Sequence, residues 1–194
     1  VNWDPKLQTA ISDLEVEQRN VNGHMWYFKY PVSGVKNINI VVGTTRPETI
    51  FGDVAVAVNP SDERYQELIG QYCVLPLVGR RIPIVADTYA DPEKGSGAVK
   101  ITPAHDFNDF IVGARHNLDS ISVLDVNACL NQNVPKGFSG IERFEARKLV
   151  VKEMQSLGLL DRVESNPMVV PYGDRSGVVV EPRLTDQWFA NAKK

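Results

Sequence analysis

Chemically able side chains are densest in Lys94–Phe110, KGSGAVKITPAHDFNDF. Gly95 and Gly97 allow tight bending or close approach to a ligand. Residues Ala98–Thr102 (AVKIT) alternate with the period of a half-buried strand, which puts Lys100 and Thr102 on one face. Pro103 ends that strand. Asp106 is placed to cap a helix running to about His116, and Asp109, three positions on, can bond back to the cap residue's N–H or meet the helix dipole. An isolated D-x-x-D reads first as a helix start. With an ammonium and a hydroxyl beside it, the pair also makes a metal-free polar pocket, suited to an ammonium group and a ribose and able to orient water at a labile ester.

A second stretch, Thr44–Thr49 (TTRPET), gathers the hydroxyls of Thr44, Thr45 and Thr49 around Arg46 in a short loop between hydrophobic strands. Its plain reading is a solvated turn, yet loops mounted between buried strands are where binding groups are commonly held. Other chemistries fit less well. G-x-S-x-G is absent, and Ser96 reads as a loop residue. His24, His105 and His116 share no metal-ligand spacing, so no metal is expected and each histidine reads as structural. The glycines of KGSGAVK match neither G-x-G-x-x-G nor the Walker pattern.

The elements that must position these groups read as a β-rich chain. Residues 1–10 look like a linker, followed by strands over 11–17, 25–30 and 38–42, the last two as an antiparallel meander. VAVAV at 54–58 predicts a strand buried on both faces. Ser61 is placed to cap a short helix ending at Gly70, and short strands follow at 72–78 and 82–85 around a turn whose Arg80 and Arg81 read as surface charges. A further strand is expected over 121–126. Ser139 and Glu142 form a capping-box pattern for a structural helix to about Leu157, and a hairpin is expected at 169–180. Trp188 and Phe189 read as exposed surface belonging against another domain.

The chain's 194 residues, 43% of them hydrophobic, suffice for one large domain with appendages. A formal net charge of -3 gives no broad basic surface, although a local patch can hold a single-stranded end. Cys73 and Cys129 are isolated and read as buried free thiols of a reducing cytoplasm. No apolar run approaches the ~20 residues of a membrane span, and no signal peptide is recognisable. A sequence opening on Val1 is expected to be a piece of a longer protein.

Taken together, TTRPET with GDVAVAVNP, then GSGAVKITPAHDFND, RFEARK, NPMVVPYGDRSGVVVEP and LTDQWF resemble the valyl-tRNA synthetases over essentially the whole chain. The segment is similar to the editing insertion of the bacterial-type enzymes of this class I family. HIGH-type and KMSKS-type signatures are absent. The resemblance implies an α/β fold with a β-barrel-like mixed sheet core flanked by helices. It divides the chain into a connecting strand or linker from the catalytic domain (1–10), an editing domain (11–165) and a return hairpin with the connection back to the catalytic domain (166–194).

The implied activity is hydrolysis of threonine wrongly esterified to tRNA(Val), within a cytoplasmic parent enzyme that ligates valine using ATP. The segment itself would use no cofactor, would meet the tRNA 3′ end and the rest of the synthetase, and is expected to be monomeric and free of membranes. Carried over by residue, Asp109 would anchor the α-amino group or the threonine hydroxyl, and Asp106 the terminal ribose. Thr44, Thr45, Arg46, Thr49, Lys100 and Thr102 would line the pocket and place the terminal adenosine and the water. Asp106, Asp109 and Lys100 are the catalytic candidates, with the water activated by a carboxylate or by the substrate's own hydroxyl. Two rivals are a tRNA-end-binding insertion without catalysis and an isoleucine-type hydrolase that clears valine.

Overall fold

A computed structural model describes residues 1–188. Its strands are β1 (Asn2–Asp4), β2 (Thr9–Ile11), β3 (Val16–Pro31), β4 (Asn39–Thr44), β5 (Ala55–Val58), β6 (Tyr72–Val74), β7 (Arg81–Ala86), β8 (Ala98–Ile101), β9 (Leu160–Gly173) and β10 (Glu181–Pro182). Two α-helices, α1 (Phe107–Arg115) and α2 (Arg143–Ser156), pack beside them. The strands form three sheets, ordered β10-β1-β2, β4-β3-β9 and β6-β7-β5-β8. The last is mixed, since β5 runs parallel to β7 and antiparallel to β8. The expected mixed α/β class is therefore present, with three sheets and no closed barrel among the described residues.

Alternation along β5 explains how the core is divided. Val56 and Val58 join the main core with Phe28, Tyr30, Ile40 and Phe51, which α2 covers with Ala146, Val150 and Met154. Ala55 and Ala57 face the other way, into a smaller cluster with Ile101 and Val112 of α1. Side chains of opposite faces alternate in a strand, and alanines on one face let a helix approach. The strand buried on both faces is as the sequence predicts.

Several local expectations are corrected. Residues 1–10, whose composition reads as a linker, contain the strand β1, which pairs with both β2 and β10. Ser61 caps no α-helix. Asn59 Oδ1 accepts from the Ser61 N–H and Asp62 Oδ1 from the Arg64 N–H, and these local turns replace it with a single short 3₁₀ turn at Gln66–Leu68. No strand forms over 121–126. The Ser122 carbonyl accepts from the side chains of Asn131 and Asn133, and the Val123 N–H goes to His105, so pairing here is limited to an isolated bridge between Leu124 and Leu130.

Glu142, not Ser139, caps α2, its carboxylate accepting from the N–H groups of Phe144 and Glu145. Arg80 is no surface charge: its guanidinium donates to the carbonyls of Phe51 and Asp53. The expected hairpin near the end is present, Tyr172 bridging Val179. Cys73 is buried and Cys129 half-buried, both unbonded. Trp188 is fully exposed, and Phe189 lies outside the described residues.

Candidate functional site

β8 and α1 are joined by the Thr102–Asp106 turn, and the geometry of the site follows from that junction. Asp106 caps α1 as expected, Oδ1 accepting from the N–H groups of Asn108 (2.8 Å) and Asp109 (3.0 Å). Asp109 does not bond back to the cap residue. Its Oδ2 instead accepts from the Thr102 N–H at 2.8 Å, tying the first turn of the helix to the end of the strand. This carboxylate is 6% exposed. Burial, partly offset by the Lys100 ammonium and reinforced by Asp106, pushes its pKa up to about 6.

Lys100 and Thr102 share one face, as the strand period requires, and their side chains hydrogen-bond each other. Both also meet Asp53, whose Oδ1 accepts from the Lys100 ammonium at 3.1 Å and from the Thr102 hydroxyl at 2.6 Å. Asp53 Oδ2 accepts from the Tyr30 hydroxyl at 2.6 Å. Burial, then Asp53 itself, raises the Tyr30 pKa well above the ordinary phenol range.

The TTRPET loop is held by its own hydroxyls. Thr44 Oγ1 accepts from the Arg46 N–H, and the Thr49 hydroxyl donates to the Arg46 carbonyl at the start of the 3₁₀ turn Pro47–Gly52. Pro47 stands at its first position, where a missing N–H costs nothing. The Arg46 guanidinium donates to the His105 carbonyl at 2.8 Å and to the Glu181 carboxylate, with Glu48 3.6 Å from Nε. Glu48 is wholly buried and bidentate to Arg147, and Glu181 also pairs with Arg143. Carboxylates from the 3₁₀ turn and β10 are thus neutralised by arginines from the loop and α2.

All eight residues singled out in the sequence, Thr44, Thr45, Arg46, Thr49, Lys100, Thr102, Asp106 and Asp109, line one cavity of ≈ 200 Å³. Met25, Gly43, Tyr89, Val99 and His105 complete it. Thr45, Arg46 and Asp106 also border a second cavity of ≈ 440 Å³ between β3, β9 and α2, with Trp26, Phe144 and Arg147 in its wall. Among the described residues no group of three or more His, Cys, Asp or Glu is arranged to hold a metal ion.

Sequence reading missed four contributors. Asp53 sits in an apolar-looking run, GDVAVAV, and only the absence of an apolar residue at its buried position hinted at it. Tyr30 and Glu48 looked like ordinary strand and turn residues. His105 read as structural, and its Nε2 does accept the Val123 N–H at 2.9 Å, but it also lines the cavity. Burial, with Arg46 and Lys100 nearby, lowers its pKa to about 3, so the ring stays neutral and its buried Nδ1 lacks a protein partner.

The fold brings two distant polar stretches into one cavity, and residues 1–194 match the model of the class I tRNA synthetases (I, L, M and V). The chain belongs to that family. Its sequence is 56% identical over 215 residues to the valine–tRNA ligase of Rhodopseudomonas palustris, covering 100% of this chain and 22% of that one. It is 54% identical over 194 residues to that of Dechloromonas aromatica, covering 100% and 20%. The chain thus spans about a fifth of the length of the curated relatives it matches. The fold is shared with a LeuRS of Agrobacterium radiobacter K84 solved in a ternary complex with tRNA and LeuAMS. The TM-score is 0.57 at 18% identity, over 77% of this chain and 20% of that one.

Proposed function

We propose that this chain is the editing domain of a valyl-tRNA synthetase and hydrolyses threonine wrongly esterified to tRNA(Val). In this reading residues 11–165 carry the deacylase, while 1–10 and 166–194 connect it to a cytoplasmic parent enzyme that ligates valine using ATP. The observation that carries the proposal is the convergence of a buried carboxylate, an ammonium and four threonine hydroxyls on one ≈ 200 Å³ cavity. That volume suits an aminoacyl ester, and the adjoining ≈ 440 Å³ cavity leaves room for the nucleotide that bears it.

Each role then follows from chemistry. Ionised Asp109 holds the substrate's α-ammonium. Asp106, more exposed at the cavity rim, receives the ribose hydroxyl. Lys100 and the threonines position the ester and the water, whose oxygen adds to the carbonyl carbon as the ribose oxygen departs with a proton. Such positioning alone supplies much of the rate at an activated ester. Editing is needed because a hydrophobic pocket shaped for valine cannot strongly reject its hydroxyl-bearing isostere threonine, the established example of this limit.

The test is deacylation of threonyl-tRNA(Val) beside valyl-tRNA(Val), by this chain and by a complete synthetase carrying it. Release of threonine only is the expected result. Release of valine instead would favour isoleucine-type editing, and tRNA binding with no release in either protein would favour a positioning module.

A further inference from the structure

Asp53 is wholly buried, lies behind the cavity wall and is bonded to no substrate-facing space of its own. Its backbone is held twice, its N–H donating to the Ile50 carbonyl and its carbonyl accepting from Arg80. Three donors converge on its side chain: Lys100, Thr102 and Tyr30. A carboxylate that receives three donors fixes the direction of every one of those bonds.

The consequence lies in what is left over. Thr102 has a single hydroxyl proton, committed to Asp53, and one lone pair engaged by Lys100, so one lone pair remains. Lys100 has three N–H groups, one on Asp53 and one on Thr102, so one remains. Both residues line the cavity. A hydroxyl can accept from that N–H and donate to that lone pair at once. A methyl can do neither, and would leave both polar groups desolvated and unpaired.

We propose that Asp53 is a positioning residue that sets this donor–acceptor couple, and through it the preference for a hydroxyl-bearing aminoacyl group. The inference rests on the deacylase reading above. Asp53→Asn keeps the size of the side chain but removes its charge, so Lys100 and Thr102, which share Oδ1, are left with a neutral amide oxygen in place of a carboxylate and the couple is weakened while the packing is kept.

The experiment compares kcat and KM for threonyl- and valyl-tRNA(Val) in the complete synthetase, for wild type, Asp53→Asn, Thr102→Val and the double variant. Asp53→Asn should lower kcat for the threonyl ester and cut the threonyl-over-valyl preference by about tenfold or more, with KM for the tRNA held. Because both residues act through one couple, the double variant should be no worse than the poorer single variant. Unchanged preference, equal loss on both esters, or additive losses would each overturn the assignment.

A second readout needs no activity. In protein labelled with ¹⁵N-lysine, the Lys100 ammonium should give a slowly exchanging signal in wild type that Asp53→Asn loses. A wild type that cleaves neither ester would retire the deacylase reading. The positioning role would then be upheld by loss of that signal in the variant and overturned by equal signals in both.

Discussion

The Thr102 N–H donates to the Asp109 carboxylate at 2.8 Å, so the end of β8 and the first turn of α1 share one hydrogen bond at the cavity wall. Through that bond the strand fixes the direction in which Asp109 faces the cavity. A carboxylate there can hold an ammonium only when ionised, and burial has moved its pKa to about 6. Deacylation of threonyl-tRNA(Val) should therefore rise with pH through about 6 and then level off. Asp109→Ala should reduce it by about a hundredfold or more at pH 7.5, the scale seen when one preorganised polar contact is removed. A pH-rate profile without the rising limb would refute the role.

The same carboxylate makes an opposite prediction for stability. Its folded pKa, about 6, lies above the ordinary 3.8, so the fold favours the protonated form. The group's contribution is fully present below about pH 3.8 and is lost as pH rises through about 6. At pH 8 the ionised form costs the folded state up to about 3 kcal/mol. Asp109→Asn can still accept from the Thr102 N–H and has no proton to lose. Its advantage over wild type in urea unfolding should be near zero at pH 3.5 and grow towards that figure at pH 8. A variant that unfolds more easily than wild type at pH 8 would contradict this account.

Glu48 anchors the other wall. It is wholly buried and bidentate to Arg147 at 2.8 Å for both bonds, with Arg46 nearby. Removing one partner of such a pair leaves a desolvated charge, so Glu48→Ala should destabilise by about 3 kcal/mol, the low end of the usual cost because Arg147 keeps some exposure. Pairing Glu48→Leu with Arg147→Met removes both charges and should recover at least half of that loss. Urea midpoints at constant m value would decide it. A double variant as unstable as Glu48→Ala would mean that packing, not charge, is lost.

How much of this was legible depends on the distance over which a signal acts. Periodicity placed Lys100 and Thr102 on one face, and the cap pattern placed Asp106, because both are set within a few residues. The TTRPET loop was recognisable from its types, yet its meeting with Lys100 and Asp109 depends on β4 and β8 lying side by side, which no local pattern encodes. Asp53 was hidden for a related reason, since its partners Tyr30, Lys100 and Thr102 come from β3, β8 and the turn that follows β8. The missing strand at 121–126 and the missing helix after Ser61 were lost to side chains of Asn59, Asp62, Asn131 and Asn133 bonding the backbone, a competition that propensity does not register.

Gly113 gives the sharpest test of whether helix placement controls the site. It lies in α1 one turn beyond Asp109 and on the same buried side. A Cβ there would sit 2.7 Å from Pro103 Cγ and 3.1 Å from its Cβ. In an exposed helix Gly→Ala would gain about 1 kcal/mol from propensity. Here the proline ring is stiff and follows Thr102 directly, so α1 must move away from the end of β8 and carry Asp109 away from the Thr102 N–H. Gly113→Ala should therefore lose about 1–3 kcal/mol of stability, the usual cost of overpacking. It should also lose at least about tenfold in threonyl-tRNA(Val) deacylation, because small displacements of a positioned group are costly. Gly137→Ala, with nothing within 4 Å of the added methyl, is the matched control and should change neither. If Gly113→Ala were destabilised yet fully active, Asp109 would not depend on the seating of α1 against Pro103.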